Sequence, residues 1–146
     1  MVSTDSYFRT PRIAERFPLY FDDPRAVKLS LLRRQMLGWR RGQDIRLNPH
    51  DLVSHGVGAE KVVKAVPVLF VEGFMAFHPL VREAADLRVF MDSVPSKRLK
   101  KRYKRDVLQR GRKVAYVRDR FFSTLEEARI QFAENWRSVA DLMVVI

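Results

Sequence analysis

The stretch VLFVEGFMAF, residues 68–77, joins an apolar run to a carboxylate and a glycine. The run is apolar throughout, without the alternation expected of a strand that faces water on one side, and it ends on Glu72 and Gly73. Continuous apolar strands are typical of parallel sheets that helices cover on both faces. Ligands bind beyond the carboxyl ends of the strands in such sheets. The stretch therefore predicts a buried strand with Glu72 at a binding crevice.

The segments around this strand alternate between helix and strand patterns. An Asp-Pro pair at 23–24 is typical of a helix start and predicts a helix over 24–41. LRVFMD (87–92) and LMVVI (142–146) predict two more apolar strands. Further helices are predicted from Pro79, from Pro95 and from a capping box at Ser123 and Glu126 to about Arg137, with loop or short strands over 44–62. The order predicts an α/β fold with a parallel sheet and flanking helices.

Two carboxylates follow strand ends in this pattern, Glu72 and Asp92. Since parallel strands end at the same edge of a sheet, both side chains could point into one crevice. The alternative is that each carboxylate only caps the turn that follows it.

Composition restricts the class of protein. A chain of 146 residues predicts one domain, and the absence of cysteine excludes disulfides and cysteine zinc sites. The sequence has neither a secretory signal pattern nor an apolar run of about 18 residues, so we expect a cytoplasmic protein without a membrane partner. The formal net charge of +11 predicts attraction to polyanions, such as nucleic acid or phosphorylated molecules. Residues 97–113 concentrate that charge, with ten Lys or Arg and one acid, Asp106.

Six blocks of the sequence carry a resemblance that covers nearly the whole chain. They are TDSYF (4–8), YFDDPRAV (20–27), HDLVSH (50–55), VLFVEGFMAF (68–77), LRVFMDSVPSKRLKKRYKRDVLQRGR (87–112) and VADLMVV (139–145). In order and spacing the chain resembles the uridine kinase family of P-loop phosphotransferases. The resemblance implies a three-layer α/β/α fold, here a single domain over 1–146 with a lid-like basic region at 95–121. It also implies transfer of the γ-phosphate of ATP, with Mg²⁺, to the 5′-hydroxyl of a nucleoside or similar alcohol.

Three acids acquire roles from the resemblance. Asp5 corresponds to the general base that takes the proton of the 5′-hydroxyl, with an N-cap or turn residue as the alternative. Asp22 corresponds to the acid that holds the ribose hydroxyls, although it could instead help to start the helix at Pro24. Glu72 corresponds to the acid that organises Mg²⁺ through its waters.

The basic segment resembles the family's lid, whose arginines close over phosphates and neutralise developing charge. The resemblance assigns Arg105 and Arg110 to ATP and Arg102 and Arg112 to the substrate side. The lysines of the segment are predicted to form a solvated face. The alternative for the whole segment is a nonspecific basic surface.

Two features depart from the family pattern at the base-binding positions. His50 stands where an aromatic tyrosine is usual, while His55 keeps the position that contacts the base. Arg120 takes the place of a glutamine that helps to hold the pyrimidine. A cation there suits a more anionic substrate, so the acceptor stays open.

The largest departure is the absence of G-x-x-x-x-G-K-[ST] from the sequence, because no lysine is followed by Ser or Thr. The family's first strand, phosphate loop and first helix have no counterpart, and that strand lies between those ending at Glu72 and Asp92. Three explanations follow: the two strands pair directly, another polypeptide supplies the missing piece, or the sequence is an incomplete record of a longer protein. We favour the last, which predicts that this chain alone is inactive and binds neither ATP nor Mg²⁺ tightly. A homo-oligomer is a further expected partner. The alternative function is a degenerate, non-catalytic kinase fold that binds RNA or another polyanion through its basic helix.

Overall fold

Two compact units, Met1–Asp86 and Leu87–Ile146, make up the chain. The computed structural model describes residues 1–49 and 58–146. Each unit contains a pair of parallel strands with helices beside them, which is the predicted α/β class. The single domain over 1–146 stays a prediction.

The first unit is built on two small sheets. Its strands are β1 (Val2–Ser3), β2 (Ile45–Leu47), β3 (Lys61–Val63) and β4 (Val71–Glu72), and its α-helices are α1 (Pro11–Ala14), α2 (Leu29–Trp39) and α3 (Pro79–Arg82). Single 3₁₀ turns occupy Thr4–Tyr7, Tyr20–Asp22, Pro24–Ala26 and Phe74–Phe77. β1 and β4 are parallel, and β2 and β3 form an antiparallel pair within the predicted region of short strands.

Helix α2 contributes the centre of this unit's core. Leu29, Leu32 and Met36 recur on one face and are buried, as expected of an amphipathic helix. The helix ends where predicted, near Gly42, which adopts a φ of 81°. Its predicted start at 24 was wrong, because Pro24–Ala26 is a separate 3₁₀ turn.

The break before α2 has a tertiary cause. Val27 is extended and forms an antiparallel bridge with Phe8, and the Lys28 amide donates to the Tyr7 carbonyl at 2.9 Å. Residues 27–28 therefore use their backbone groups for pairing with the 3₁₀ turn that follows β1. Those groups are then not available for a helix that continues from Pro24.

The apolar stretch that predicted a buried strand is shorter and more exposed than expected. Strand β4 contains only Val71 and Glu72, and the Phe70 side chain is 68% exposed. The prediction of burial was therefore wrong for this segment. The physical reason is that, in the part of the chain that the structure describes, β4 has one strand partner, β1.

The second unit places one parallel strand pair beside two helical segments. Its strands are β5 (Val89–Asp92) and β6 (Leu142–Val145), which lie in the predicted positions. Its α-helices are α4 (Pro95–Tyr103), α5 (Val114–Arg120), α6 (Glu126–Ala128) and α7 (Glu134–Arg137). The strand pair is again more exposed than predicted, since Met91 is 64% and Val145 76% exposed.

Residues 114–137 form one helical run, in which α5, α6 and α7 are joined by π-type turns at Phe121–Leu125 and Arg129–Ala133. The predicted capping box was therefore wrong, because Ser123 lies inside the run. Glu126 instead accepts hydrogen bonds from Arg98 at 2.8 and 2.9 Å. The buried positions step by five residues from Ala128 to Ala133, and a π-type turn accommodates such an extra residue.

Each unit pairs its own parallel strands. The partner of β4 is β1, and the partner of β5 is β6. The three explanations for the missing strand stay open. Among the described residues, no helix is both long and apolar enough to cross a bilayer.

Arg88 and Asp141 join the beginnings of β5 and β6. The Asp141 carboxylate accepts from the Arg88 backbone amide at 2.8 Å and from its guanidinium at 2.6 and 2.9 Å. The guanidinium bonds, followed by the amide bond, lower the pKa of Asp141 from 3.8 to about 2. Because the folded state favours the ionised carboxyl, its contribution to stability is complete above about pH 4 and is lost as the pH falls toward 2.

We expect Asp141→Asn to lower the thermal unfolding midpoint at neutral pH, because asparagine cannot accept the charge-assisted pair. The difference from the unaltered protein should stay constant above about pH 4 and shrink between pH 4 and about 2. Thermal scans followed by circular dichroism measure it. Glu127→Gln, at an exposed helical position, is the charge-matched control, and a difference for Asp141→Asn that does not change with pH would contradict the assignment.

Candidate active site

Parallel pairing of β1 with β4 brings two of the predicted site residues to one end of a strand pair. Ser3 is in register with Glu72, and Asp5 follows Ser3 by two residues in the 3₁₀ turn Thr4–Tyr7. Neighbouring strands lie about 4.8 Å apart. The two carboxylates therefore leave the carboxyl ends of adjacent strands, the arrangement that the sequence predicted for a binding crevice.

The turn after β4 packs directly on the turn after β1. Gly73 has a φ of 118°, and a Cβ at this position would lie 2.1 Å from Thr4 Oγ1. Thr4 itself is buried. This contact holds the two strand ends together, and only glycine provides both the backbone conformation and the space.

The N-cap alternative for Asp5 was wrong. Ser3 is the N-cap of the 3₁₀ turn, and its Oγ accepts from the Asp5 amide at 3.3 Å. Asp5 therefore lies in the first turn, with its side chain not needed as the cap. Asp5 does lie in a turn, as the alternative also stated. Its role as general base stays a prediction.

Asp23, rather than its neighbour Asp22, starts the helical turn at Pro24. Asp23 is the N-cap at Pro24 and accepts from the Arg25 amide at 2.9 Å and from its guanidinium at 2.8 and 2.9 Å. The guanidinium bond, against the opposing effect of burial, lowers the pKa of Asp23. The helix-start alternative for Asp22 is therefore wrong, because Asp23 performs that task. Asp22 ends the preceding 3₁₀ turn.

The other carboxylate at a strand end, Asp92, serves the local structure of the second unit. It accepts from the Ser93 amide at 2.8 Å and pairs with Arg137 at 2.9 Å. The helix that follows has Val94 as its N-cap and no side-chain cap bond, so both the crevice and the capping interpretations of Asp92 stay predictions. Glu72, in the first unit, is exposed at the end of β4.

In the second unit, three of the predicted lid arginines surround one carboxylate. Asp106 lies in the π-type turn Lys104–Gln109 that continues α4, and it is 6% exposed. Its oxygens lie 3.1 Å from Arg102 Nε, 2.8 Å from Arg105 Nε and 3.0 Å from Arg110 Nη1. This group, the Asp106 cluster, holds three guanidinium groups together with one negative charge.

The pKa of the Asp106 carboxyl reports this environment. Burial raises the pKa, but the Arg105 hydrogen bond and the charges of Arg105, Arg102 and Arg110 outweigh burial, so the net pKa is lowered. The carboxylate is therefore ionised near neutral pH, and it orders guanidinium groups that would otherwise repel one another.

The remaining members of the basic segment make separate contacts. The Arg112 amide donates to the Asp106 carbonyl at 2.9 Å, and its guanidinium lies 5.8 Å from the centre of the Tyr116 ring. Arg120 ends α5, and its carbonyl accepts from Thr124 Oγ1 at 3.0 Å. The lysines of α4 and its continuation are exposed, as predicted for a solvated face: Lys97, Lys100, Lys101 and Lys104.

Replacing Asp106 by asparagine should destabilise the protein by about 1–3 kcal/mol. The variant leaves three neighbouring guanidinium groups without their counter-charge, and we discount the cost of a fully buried pair because these arginines are partly solvated. Urea unfolding measures the change. Asp119→Asn is the control, since Asp119 pairs with Arg118 at 3.0 Å on the surface, and we expect it to change stability by less than about 0.5 kcal/mol. Equal effects of the two variants would contradict the ordering role of Asp106.

Two site predictions fall on His50 and His55, which lie outside the described residues. For the Mg²⁺ prediction, the described residues contain no group of three or more His, Cys, Asp or Glu that could hold a metal ion. A single exposed carboxylate such as Glu72 fits the way Mg²⁺ usually binds, through one or two carboxylates, retained waters and substrate phosphates. The residues present therefore fit a water-mediated role for Glu72.

A comparison with protein families decides the chain's membership. The model of the phosphoribulokinase/uridine kinase family matches residues 4–145. The chain belongs to this family. Its phosphoribulokinase/uridine kinase relatives include the uridine kinase of Halobacterium salinarum, which is 30% identical over 132 residues, 89% of this chain and 59% of that protein.

Other family members are similar over almost the whole chain. The uridine kinase of Borrelia duttonii is 27% identical over 148 residues, 99% of this chain and 72% of that protein. Uridine kinase-like protein 3 of Arabidopsis thaliana is 28% identical over 150 residues, 99% of this chain and 32% of that protein. The chain thus spans 59% of the Halobacterium relative's length and 72% of the Borrelia relative's.

Sequence reasoning gave no role to Asp106, although a signal was present. Asp106 is four residues from both Arg102 and Arg110, which is the spacing of side-chain pairs on a helix. Gly73 was noticed only as the end of a strand. Its contact with Thr4 joins segments distant in sequence, and no local pattern indicates it.

Proposed function

We propose that this chain is the acceptor-binding and lid-bearing portion of a uridine kinase-like, ATP-dependent phosphotransferase. The acceptor is the 5′-hydroxyl of a nucleoside or a similar alcohol. The observation that carries the proposal is the register of Ser3 with Glu72, because it places Asp5 and Glu72 at adjacent strand ends. Membership of the phosphoribulokinase/uridine kinase family supports it.

Each site residue has one task in this proposal. Asp5 accepts the proton of the 5′-hydroxyl as the oxygen attacks phosphorus, and Asp22 accepts hydrogen bonds from the ribose hydroxyls. His50 and His55 contact the base. Arg120 and the lid arginines Arg102 and Arg112 hold anionic groups on the substrate side.

Glu72, Arg105 and Arg110 act on the phosphates of ATP and on the metal. ATP with Mg²⁺ supplies the phosphoryl group that is transferred and neutralises part of its charge. Glu72 orients water molecules at the metal, and Arg105 and Arg110 lie toward the phosphates. The Asp106 cluster supports this role, since it presents guanidinium groups already gathered, with 23% of the Arg110 side chain and 46% of the Arg105 side chain exposed.

We further propose that this chain alone is inactive and depends on a segment with a phosphate-binding loop, on the same or a complementing polypeptide. A homo-oligomer and a cytoplasmic location are part of the same proposal. The sequence of 146 residues contains no G-x-x-x-x-G-K-[ST], whose backbone amides and lysine hold the β- and γ-phosphates in P-loop enzymes. Among the described residues, β4 and β5 each have one strand partner, and these open sheet edges support a further strand partner.

A transfer assay tests the proposal. The chain is compared with a fusion in which an upstream strand and phosphate-loop segment is restored, using labelled ATP, Mg²⁺ and either uridine or cytidine. We expect phosphate transfer to the nucleoside by the fusion and none by the chain alone. A folded fusion that binds ATP and phosphorylates neither nucleoside would overturn the acceptor assignment, and activity of the chain alone would overturn its dependence on the loop.

A second function, binding of RNA, is favoured by one observation. The four lysines at 97, 100, 101 and 104 are exposed, and such a face attracts a phosphate backbone. Binding of this kind should weaken steeply as salt rises and should need none of Asp5, Asp22 or Glu72. Measuring the affinity for single-stranded RNA between about 50 and 200 mM salt separates the two functions.

A further inference from the structure

A groove of about 300 Å³ lies between α2 and α3 in the first unit. It is lined by Ser30, Arg33, Arg34, Leu37, Arg41 and Leu80. Five of these residues lie on or next to α2 at spacings of three and four residues, which is one face of a helix. The sixth, Leu80, comes from α3 and completes an apolar floor with Leu37.

The charge of this groove is unbalanced. Its lining has three arginines and no carboxylate. Other arginines of the same unit pair with acids: Arg25 with Asp23, Arg40 with Asp86 and Arg46 with Glu60. Three like charges on one helix face repel one another, and a bound anion would remove that cost.

Arg33 adds an independent observation. Its Nε atom is buried and has no hydrogen-bond partner among the described residues. A buried donor without an acceptor is costly, and native proteins usually supply one. Arg33 also lines the groove, so a small shift of its side chain would let an anion oxygen there provide the missing acceptor.

We propose that this groove binds the phosphate group of a small phosphorylated molecule whose apolar or aromatic part lies on Leu37 and Leu80. Guanidinium groups match phosphate geometry, because they donate two parallel hydrogen bonds. The volume is at the lower end of the range for small-molecule sites. The proposal concerns residues other than the candidate active site, and it stands or falls independently of the kinase function.

Phenyl phosphate is a suitable probe because it joins a phosphate to an aromatic ring, and inorganic phosphate is its comparison. Calorimetry on the complete chain should show tighter binding of phenyl phosphate. NMR titration should show amide shifts along α2 and α3. No detectable binding of phenyl phosphate at about 10 mM, or equal affinity for the two probes, would overturn the proposal.

Variants distinguish a specific anion site in the groove from general attraction of anions to a basic protein. Arg34→Ala removes an exposed groove arginine, and Arg33→Lys keeps the charge but removes Nε. Each should weaken binding of phenyl phosphate about tenfold or more. Arg46→Ala removes the same charge outside the groove and should change the affinity less than about twofold.

Two results would contradict the groove as the site. The first is an equal loss for Arg34→Ala and Arg46→Ala, which would indicate nonspecific electrostatic attraction. The second is binding that survives Arg34→Ala but is lost in the double variant Arg105→Ala, Arg110→Ala, which would place the anion at the Asp106 cluster. Thermal unfolding of each variant verifies that it is folded, and Arg34→Ala keeps the test decisive if Arg33→Lys is unstable.

Discussion

Replacing Asp5 by asparagine in the loop-restored fusion is expected to reduce the rate of nucleoside phosphorylation about 10²–10⁴-fold. Asparagine has nearly the same size but cannot accept the proton of the attacking hydroxyl. The fold should be preserved, because the Asp5 amide, and not its side chain, makes the capping bond to Ser3 Oγ. Steady-state transfer assays measure the rate, and the substrate KM should change much less than kcat.

The control for this experiment is Asp86→Asn in the same unit. Asp86 is a surface acid whose side chain is 90% exposed and pairs with Arg40. We expect the rate of this variant to stay within about twofold of the unaltered fusion. A fully active Asp5→Asn variant would remove Asp5 as the base. If both variants lost activity equally, a general effect of charge would explain the loss better than proton transfer.

Replacing Gly73 by alanine is expected to destabilise the protein by about 3–5 kcal/mol. Two causes act together. The φ of 118° is a conformation that side chains rarely adopt, and the added Cβ would meet Thr4 Oγ1 at 2.1 Å. Thr4 is buried, so relief of the contact requires its side chain to repack or β1 to move away from β4. Urea unfolding measures the loss, which is a large part of the 5–15 kcal/mol typical of a domain.

Gly42→Ala separates the two causes. Gly42 also has a positive φ, 81°, but a Cβ there would have no atom within 4 Å. The cost should therefore be only that of the backbone, about 1 kcal/mol. Similar losses for the two variants would show that the contact between Gly73 and Thr4 has no special role. In the fusion, Gly73→Ala should also lower activity, because separating the strand ends moves Asp5 away from Glu72.

Local patterns predicted several elements of the second unit. The strand at Val89–Asp92, the helix that begins at Pro95 and the closing strand at Leu142–Val145 lie where the sequence placed them. Each has a strong local signal, such as a continuous apolar run or a proline at the first helical position. The general-base role of Asp5 and the metal role of Glu72 stay predictions, for which the register of β1 and β4 supplies a geometric basis.

The errors lie where contacts between distant segments override a local signal. The Asp-Pro pair at 23–24 does start a helical turn, but the turn ends at Ala26 because Val27 pairs with Phe8. The capping-box spacing at Ser123 and Glu126 was misleading, since Glu126 binds Arg98 from another helix. A glutamate three residues after a serine shows the capping-box spacing in either case, whether it caps a helix or forms an ion pair with a distant arginine.

The sequence by itself determined the α/β class and the concentration of positive charge, because these depend on apolar runs, helix signals and composition, and its six blocks carried the family resemblance. Only the tertiary structure decided that Gly73 packs on Thr4, that Asp106 gathers three of the predicted lid arginines and that Arg33, Arg34 and Arg41 line a groove without an acid. The physical reason is the distance along the chain over which each effect acts. Hydrophobic periodicity acts within one element, whereas steric fit and charge pairing depend on which elements meet.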